Sequence, residues 1–489
     1  MRDRGPAGAL NGSERPRVSL FTIPDDRVLD ALRGALEGVL GAEAQSPLAK
    51  HHAALADMVL SRWIAAATRL PEIDARLVAV REYEQQRAAA ALAQLDPARH
   101  GPAATIALPE LIRRLAAVLP EVSEGQATEI RGIIADAVAI DAKARAEFEA
   151  AVAAVTAAVP EAERARSPAP DIERLQRYLN ARFADAGPVT VRSINPLPGG
   201  HSKETILFEI APHPMLPASM VIRMDAGRYG TSVRDEFPLL EALHREGIAV
   251  PVPLWLEPRE DVFGGAFLVT RRMPGAPPGT LWEVGAASAA LGAELAAALG
   301  RLHSTPLRRL ASTRHDSSRP LVEAMLADSE RRWRDRMPMP SVAMEAAFGW
   351  MRERARHFDV PASLVHGDPG LQNVIVDHGR LQCLLDWEFA HPGDPAEDLA
   401  YCRPAIERIM PWPEFLAHHR AAGGPEITDE RLAFFEIWRC LRNAALAAGV
   451  LFDLQHGAVR GLEMAAVGVN TYPRLEAQLA ASLARVIRA

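Results

Sequence analysis

Cysteine is scarce: the 489-residue chain has three, Cys383, Cys402 and Cys440. No CxxC pair or Cys/His spacing surrounds them, which argues against a structural zinc site. So few thiols also exclude a disulfide-stapled scaffold, and they read as small buried hydrophobes in a cytoplasmic protein. Long apolar runs are missing. No stretch reaches the ~18–20 residues of a membrane-spanning helix, because Glu, Arg and Asp interrupt the alanine-rich segments. The polar start, Met1 to Arg17, lacks the apolar centre of a secretory signal. A dominant charge sign is missing too. The 55 Lys and Arg and 62 Asp and Glu give a net −7, interspersed without the basic stripe of nucleic-acid binding. The phosphate-loop consensus G-x-x-x-x-G-K-[ST] occurs nowhere, and there is no internal repeat.

What is present is ample core material, with 48% hydrophobic and 24% charged residues. The length suggests two or three domains. Residues 1–17 read as a disordered tail. From Asp26 the pattern turns helical, with Val28, Leu29, Leu32, Leu36, Val39 and Leu40 on one face. Further helices are expected at about 47–69, 72–95, 106–119 and 124–158, punctuated by Pro71, Pro97, Pro102, Pro109 and Pro120. Residues 18–159 therefore read as a helical bundle, and the proline-bearing segment 160–171 as a linker. After a helix at about 171–184 the texture changes. Val189–Ile194, Thr205–Ile210, Met220–Met224 and Ala266–Arg271 are short β-rich runs, with a helix at about 232–246 between the third and fourth. Beyond Trp282 the chain is mostly helical. Strands followed by helices indicate an α+β, two-lobed unit, with lobes at 172–273 and 274–489.

The densest chemistry lies in Leu364-Val365-His366-Gly367-Asp368-Pro369-Gly370-Leu371-Gln372-Asn373, followed by Cys383-Leu384-Leu385-Asp386-Trp387-Glu388. Polar groups here occupy short loops beside apolar strands. Mg²⁺ prefers oxygen ligands and takes one or two carboxylates plus substrate phosphates. Asp386 at a strand end is a natural metal carboxylate, and Asn373 offers an amide oxygen. Asp368, in a tight loop, is placed to take a hydroxyl proton. Positioning, metal neutralisation and a nucleophile-orienting carboxylate are what phosphoryl transfer requires.

His-Gly-Asp followed by Asn and then Leu-Asp-Trp-Glu resembles the core of the aminoglycoside phosphotransferases and choline kinases, a variant of the protein-kinase H-R-D-x-x-x-x-N and D-F-G pair. The resemblance covers about Thr190 to the C-terminus. It implies a protein-kinase-like fold and a Mg²⁺-dependent kinase using ATP or GTP on a small-molecule hydroxyl. It makes Asp368 the catalytic base, Asn373 and Asp386 the metal ligands, and His366 and Gly367 the shapers of the loop, with Glu388 as a water-mediated metal contact. No Ala-Pro-Glu segment follows Asp386, which separates the chain from protein kinases. A non-catalytic nucleotide-binding regulatory module is the alternative; it predicts loss of Asp368, Asn373 or Asp386, and all three are present.

The resemblance also calls for a nucleotide lobe upstream. Gly199, Gly200 and Ser202 lie between two β runs, where glycine lets backbone N–H groups approach phosphate. Arg223 replaces the usual third-strand Lys and is not a simple substitute for it. Glu236, thirteen residues later, is its expected helical partner. Val269, Thr270, Arg271 and Arg272 mark the segment that meets the purine edge in the family. His303 is expected to be structural. Asp394 and Asp398 read either as loop-ordering acids or as N-caps of the next helix, with capping the expected role.

For the acceptor, candidates are Glu388, Glu407, Trp438, Arg439, Arg442, Asn443 and Asp453. Aromatics mixed with arginines suggest an acceptor with apolar or anionic parts. The segment is similar to kinase domains fused to some acyl-CoA dehydrogenases, which implies a hydroxylated acyl group as acceptor. The N-terminal helices carry no chemical motif and are a candidate dimerisation or partner surface.

Overall fold

The computed structural model describes residues 47–95, 106–155, 172–197, 203–225, 231–280, 283–310, 316–459 and 462–488. The helix expected from Asp26, the tail and the segment 160–171 lie outside them. In the N-terminal part α1 (Pro47–Leu95), α2 (Leu108–Val118) and α3 (Glu124–Val155) are followed by α4 (Ile172–Arg182). Pro71 does not break α1, contrary to its reading as punctuation. It is exposed while Leu70 and Ile73 beside it are buried. The carbonyl that its missing N–H leaves over thus lies on the solvent side, where water can satisfy it.

Next comes a five-stranded antiparallel sheet ordered β1-β2-β3-β5-β4. Its strands are β1 (Val191–Leu197), β2 (Lys203–Ile210), β3 (Ser219–Asp225), β4 (Pro253–Glu257) and β5 (Phe267–Arg271), with α5 (Val233–Arg245) between β3 and β4. The short β4 escaped the sequence reading because Pro251 precedes it and Pro253 begins it. Period-two alternation assigns the faces. Phe267 and Val269 join Ile206, Phe208, Ile222 and Trp255 in a core with Leu175 and Leu179 of α4. Leu268, between them, packs in the core that holds Phe237 and Leu240 of α5. Arg223 is paired in register with Leu268, so it is aimed at α5.

The second lobe begins with α6 (Ala289–Ser304), α7 (Ser318–Asp335) and α8 (Val342–Ala355). Two small antiparallel pairs follow: β6 (Ser363–Val365) with β9 (His391–Gly393), and β7 (Val374–Asp377) with β8 (Arg380–Leu384). Five further segments finish the chain: α9 (Ala396–Ile406), α10 (Trp412–Ala421), α11 (Asp429–Gln455), α12 (Leu462–Ala466) and α13 (Tyr472–Val486), with a π-helical turn at Val467–Thr471. The two lobes meet where Ala276 bridges Val376. Gly275 there has φ +97°, and a Cβ would collide with the Val376 carbonyl, so only glycine fits.

The N-terminal helices are not a free-standing layer. Leu111, Leu115, Ile130, Ile134 and Val138 share one continuous apolar core with Met344, Phe348, Leu475 and Leu479. A Cβ on Gly349 of α8 would strike Ala116 of α2, so these helices touch at backbone distance. Arg145 of α3, buried, donates to both carboxylate oxygens of Glu476 on α13 at 2.6 and 2.9 Å and to Asp141 at 2.8 Å.

Candidate active site

The loop between β6 and β7 carries Asp368. Asn373 Nδ2 donates to Asp368 Oδ2 and to its backbone carbonyl, both at 3.0 Å. With the amide nitrogen committed inward, the amide oxygen of Asn373 is left for another partner. Burial is the first cause that pushes the Asp368 carboxyl up to about 7, against the Arg442 guanidinium and the hydroxyl of Tyr401. His366 is fully buried. Its Nε2 donates to the Leu385 carbonyl at 2.9 Å, and its Nδ1 accepts the Asp368 N–H at 3.2 Å. Burial lowers its pKa, in keeping with this neutral tautomer. The ring thus ties the Asp368 loop to the residue preceding Asp386.

Asp386 stands at φ 65°, ψ 61°, a left-handed conformation that is costly for a non-glycine residue and concentrates at functional positions. Its Oδ1 accepts a hydrogen bond from Arg223 Nη2 at 2.7 Å. The expected Arg223–Glu236 pair is also present, with Nε 3.6 Å from Oε1, an ion pair longer than a hydrogen bond. Burial opposes the Arg223 charge, but Glu236 and Asp386 outweigh it and hold its pKa above the usual range. Arg223 therefore spans the cleft from helix α5 to Asp386.

Behind the loop stands Asp398, in the first turn of α9. It accepts the backbone N–H groups of His366 and Gly367, both at 2.8 Å, and His303 Nε2 at 2.9 Å. The capping expected of Asp398 gives way to this loop-ordering role. Asp394 does cap, accepting the Ala396 N–H at 2.8 Å, and also pairs with buried Arg431. His303 is buried between Asp398 and His419, the structural role expected of it.

The expected acceptor residues separate into two groups. Arg442 lies over the rings of Phe389 (5.1 Å) and Tyr401 (5.4 Å), with Nη1 3.4 Å from Glu397. Trp438 donates to the same Glu397 at 2.9 Å. Arg442 borders the Asp368 loop, where its charge acts on the Asp368 carboxyl, whereas Trp438 is buried in the core beside Glu397. Glu407 is engaged by Arg403, Asp453 by Arg336, and Arg439 lies along Cys440. Glu388 faces the sheet lobe, accepting from Thr231 at 2.9 Å. Gly199, Gly200 and Ser202 fall outside the described residues. Val269 and Thr270 are flanked by β3 and β4, and the N–H groups of Arg271 and Arg272 donate to Val252 and Ser219. Tyr401, Glu397, Thr231 and Lys203 were missed; each lies outside the loop motif, and only the fold brings it near.

A strand lobe and a helical lobe hinged above an Asp/Asn/Asp cleft define the two-lobed, kinase-like class of phosphotransferase. Residues 193–435 match the model of the phosphotransferase enzyme family, and this segment of the chain belongs to that family. Acyl-CoA dehydrogenase family member 11 of Gallus gallus is 28% identical over 170 residues, 34% of this chain and 22% of that protein. The Rattus norvegicus protein of the same name is 24% identical over 265 residues, 50% of this chain and 32% of its own length. The aligned segment thus spans a third or less of these relatives. A choline kinase structure from Streptococcus pneumoniae aligns at 19% identity over 63% of this chain and 99% of its own, with TM-score 0.46.

Proposed function

We propose that the chain is a small-molecule kinase moving the γ-phosphoryl of ATP or GTP to a hydroxyl. The observation that carries this reading is the meeting of Asp368, Asn373 and Asp386 in one cleft with Arg223 reaching in from the sheet lobe. The donor set suits Mg²⁺: one carboxylate and one freed amide oxygen, both hard oxygen ligands. Asp386 and Asn373 would hold the ion, which supplies charge neutralisation at the β- and γ-phosphates.

Arg223 leaves Asp386 and turns to the nucleotide phosphates when the Mg-nucleotide enters. It remains anchored by Glu236, and its planar fork suits phosphate oxygens. Base contacts fall to groups at and after Arg272, since the preceding strand is used on both sides. Asp368 takes the acceptor's hydroxyl proton as the oxygen attacks the γ-phosphorus. The bond to the β-phosphate oxygen breaks, and the nucleoside diphosphate leaves. His366 acts at one remove, holding the loop. Arg442, Phe389 and Tyr401 form the acceptor wall, aromatic with one cation, which suits an apolar or anionic portion. Together with the names of the curated relatives, this makes a hydroxylated acyl compound the first acceptor to test.

The test is Mg²⁺-dependent transfer from ATP and GTP to aminoglycosides, choline, sugars and hydroxyacyl-CoAs, with Asp368→Asn as control. Turnover on one class that collapses in the variant supports the kinase. Nucleotide binding without turnover favours a regulatory module, and absence of Mg-nucleotide binding sinks the assignment.

A further inference from the structure

Lys203 begins β2, opposite Asp225 at the end of β3. Its side chain is 3% exposed. The ammonium donates to the Thr231 carbonyl at 2.9 Å and to the Thr231 hydroxyl at 2.8 Å. It also lies 3.4 Å from Asp225 Oδ1 and 3.5 Å from Glu388 Oε2. The Thr231 hydroxyl in turn donates to Glu388 Oε2 at 2.9 Å. Lysine, threonine and glutamate thus form a directed chain of hydrogen bonds in a low-dielectric setting, where each bond polarises the next. With its protons committed and its head buried, Lys203 is not available as a direct phosphate ligand.

The groups it joins are the ones that shape the cleft. Asp225 accepts the Val233 N–H at 2.9 Å and the Ser232 hydroxyl at 2.8 Å, fixing the first turn of α5. That helix carries Glu236, the anchor of Arg223. Glu388 sits in the single turn Trp387–Phe389 that follows Asp386. An aspartate held at positive φ keeps its orientation only while the residues on either side are pinned. His366 pins the Leu385 side, and the Lys203–Thr231 pair pins the Glu388 side.

We infer that Lys203 is a positioning residue for phosphoryl transfer, fixing helix α5 and the Asp386–Glu388 turn to strand β2 and so setting where Asp386 stands. This rests on the kinase reading above. Removing the ammonium releases the Asp386–Glu388 turn from strand β2, so Asp386 loses its fixed position. The cost then falls on the metal-dependent part of nucleotide affinity.

The experiment is calorimetric binding of ADP and GDP, each with and without Mg²⁺, to the full chain and to Lys203→Met, Lys203→Arg and Thr231→Val. Lys203→Met is expected to lose about tenfold in Mg²⁺-dependent affinity, less than truncating a direct charge partner of the ligand costs, because Lys203 acts through Asp386. Its metal-free affinity stays within about twofold, and Lys203→Arg recovers most of the loss because the charge returns. Thr231→Val keeps both charges and moves the same way by about threefold, the loss of one hydrogen bond; it decides the matter where Lys203→Met does not fold. Wild-type-like binding by both Lys203→Met and Thr231→Val overturns the inference alone. So does an equal loss with and without Mg²⁺, the signature of general loosening. A wild-type chain that binds neither Mg-nucleotide overturns the kinase reading and this inference with it.

Discussion

As the proposed base, Asp368 meets two opposing demands: a base must be ionised, yet burial favours the neutral acid and pushes its carboxyl up to about 7. Between the ordinary value of 3.8 and about 7 the folded chain holds a proton that the unfolded chain releases. The resulting stabilisation is fully present below 3.8 and is lost as pH rises through about 7. Two results follow. On the proposed mechanism, kcat/KM rises with pH through about 7 as the Asp368 carboxyl ionises. Asp368→Asn lowers kcat by ~10³-fold while raising the melting temperature relative to wild type at pH 8 more than at pH 5. A pH–rate profile and paired thermal melts check both; a variant destabilised at pH 8 contradicts the burial argument.

At the scale of the element, the short β6–β7 connection owes its shape to groups outside it. Asp398 satisfies the N–H groups of His366 and Gly367 from α9, and Gly367 has φ +80° with its Cβ direction 2.6 Å from the Phe389 carbonyl. Asp398→Ala strands two buried N–H groups, each costing about 1–3 kcal/mol. Gly367→Ala adds a steric clash on top of roughly 1 kcal/mol of left-handed strain. Both variants should lose stability in urea unfolding. Both should also lose more turnover than nucleotide affinity, because the Asp368 loop moves while the Arg223 side of the cleft stays. An Asp398→Ala chain with wild-type turnover would show that the loop holds its own shape.

Across the whole molecule, the N-terminal helices and the C-terminal helical lobe stabilise one another through a common apolar core and the buried Arg145–Glu476 pair. Arg145→Met alone leaves Glu476 buried without its cation, a loss of about 3–5 kcal/mol. Arg145→Met combined with Glu476→Leu removes this pair and should recover part of that loss, the remainder being the buried Asp141 that also loses its Arg145 bond. Chemical denaturation of the two single variants and the double variant measures this coupling; additive losses would show that the pair is not the link between the helices.

By itself the sequence determined the local parts. Period-two runs marked β1, β2, β3 and β5, helical periodicity marked the long helices, and the spacing of Asp368, Asn373 and Asp386 announced one cleft, because strand, loop and side-chain type are set by residues near one another. Pro71 and β4 were misjudged for a related reason: proline's local signal is strong, and whether its lost hydrogen bond matters depends on which side faces water. Tertiary structure alone decided the rest. Of the two roles open to Asp398, cap or loop-ordering acid, the fold selected the second, as acceptor for a loop 31 and 32 residues away, and Lys203 found Glu388 185 residues on. The division of the arginine-rich α11 region into Arg442 beside Asp368 and Asp453 beside Arg336 likewise needed the folded chain. Such pairings carry no periodicity. They exist because buried charges and N–H groups must find partners in space, and the fold alone determines which residues are close enough to serve.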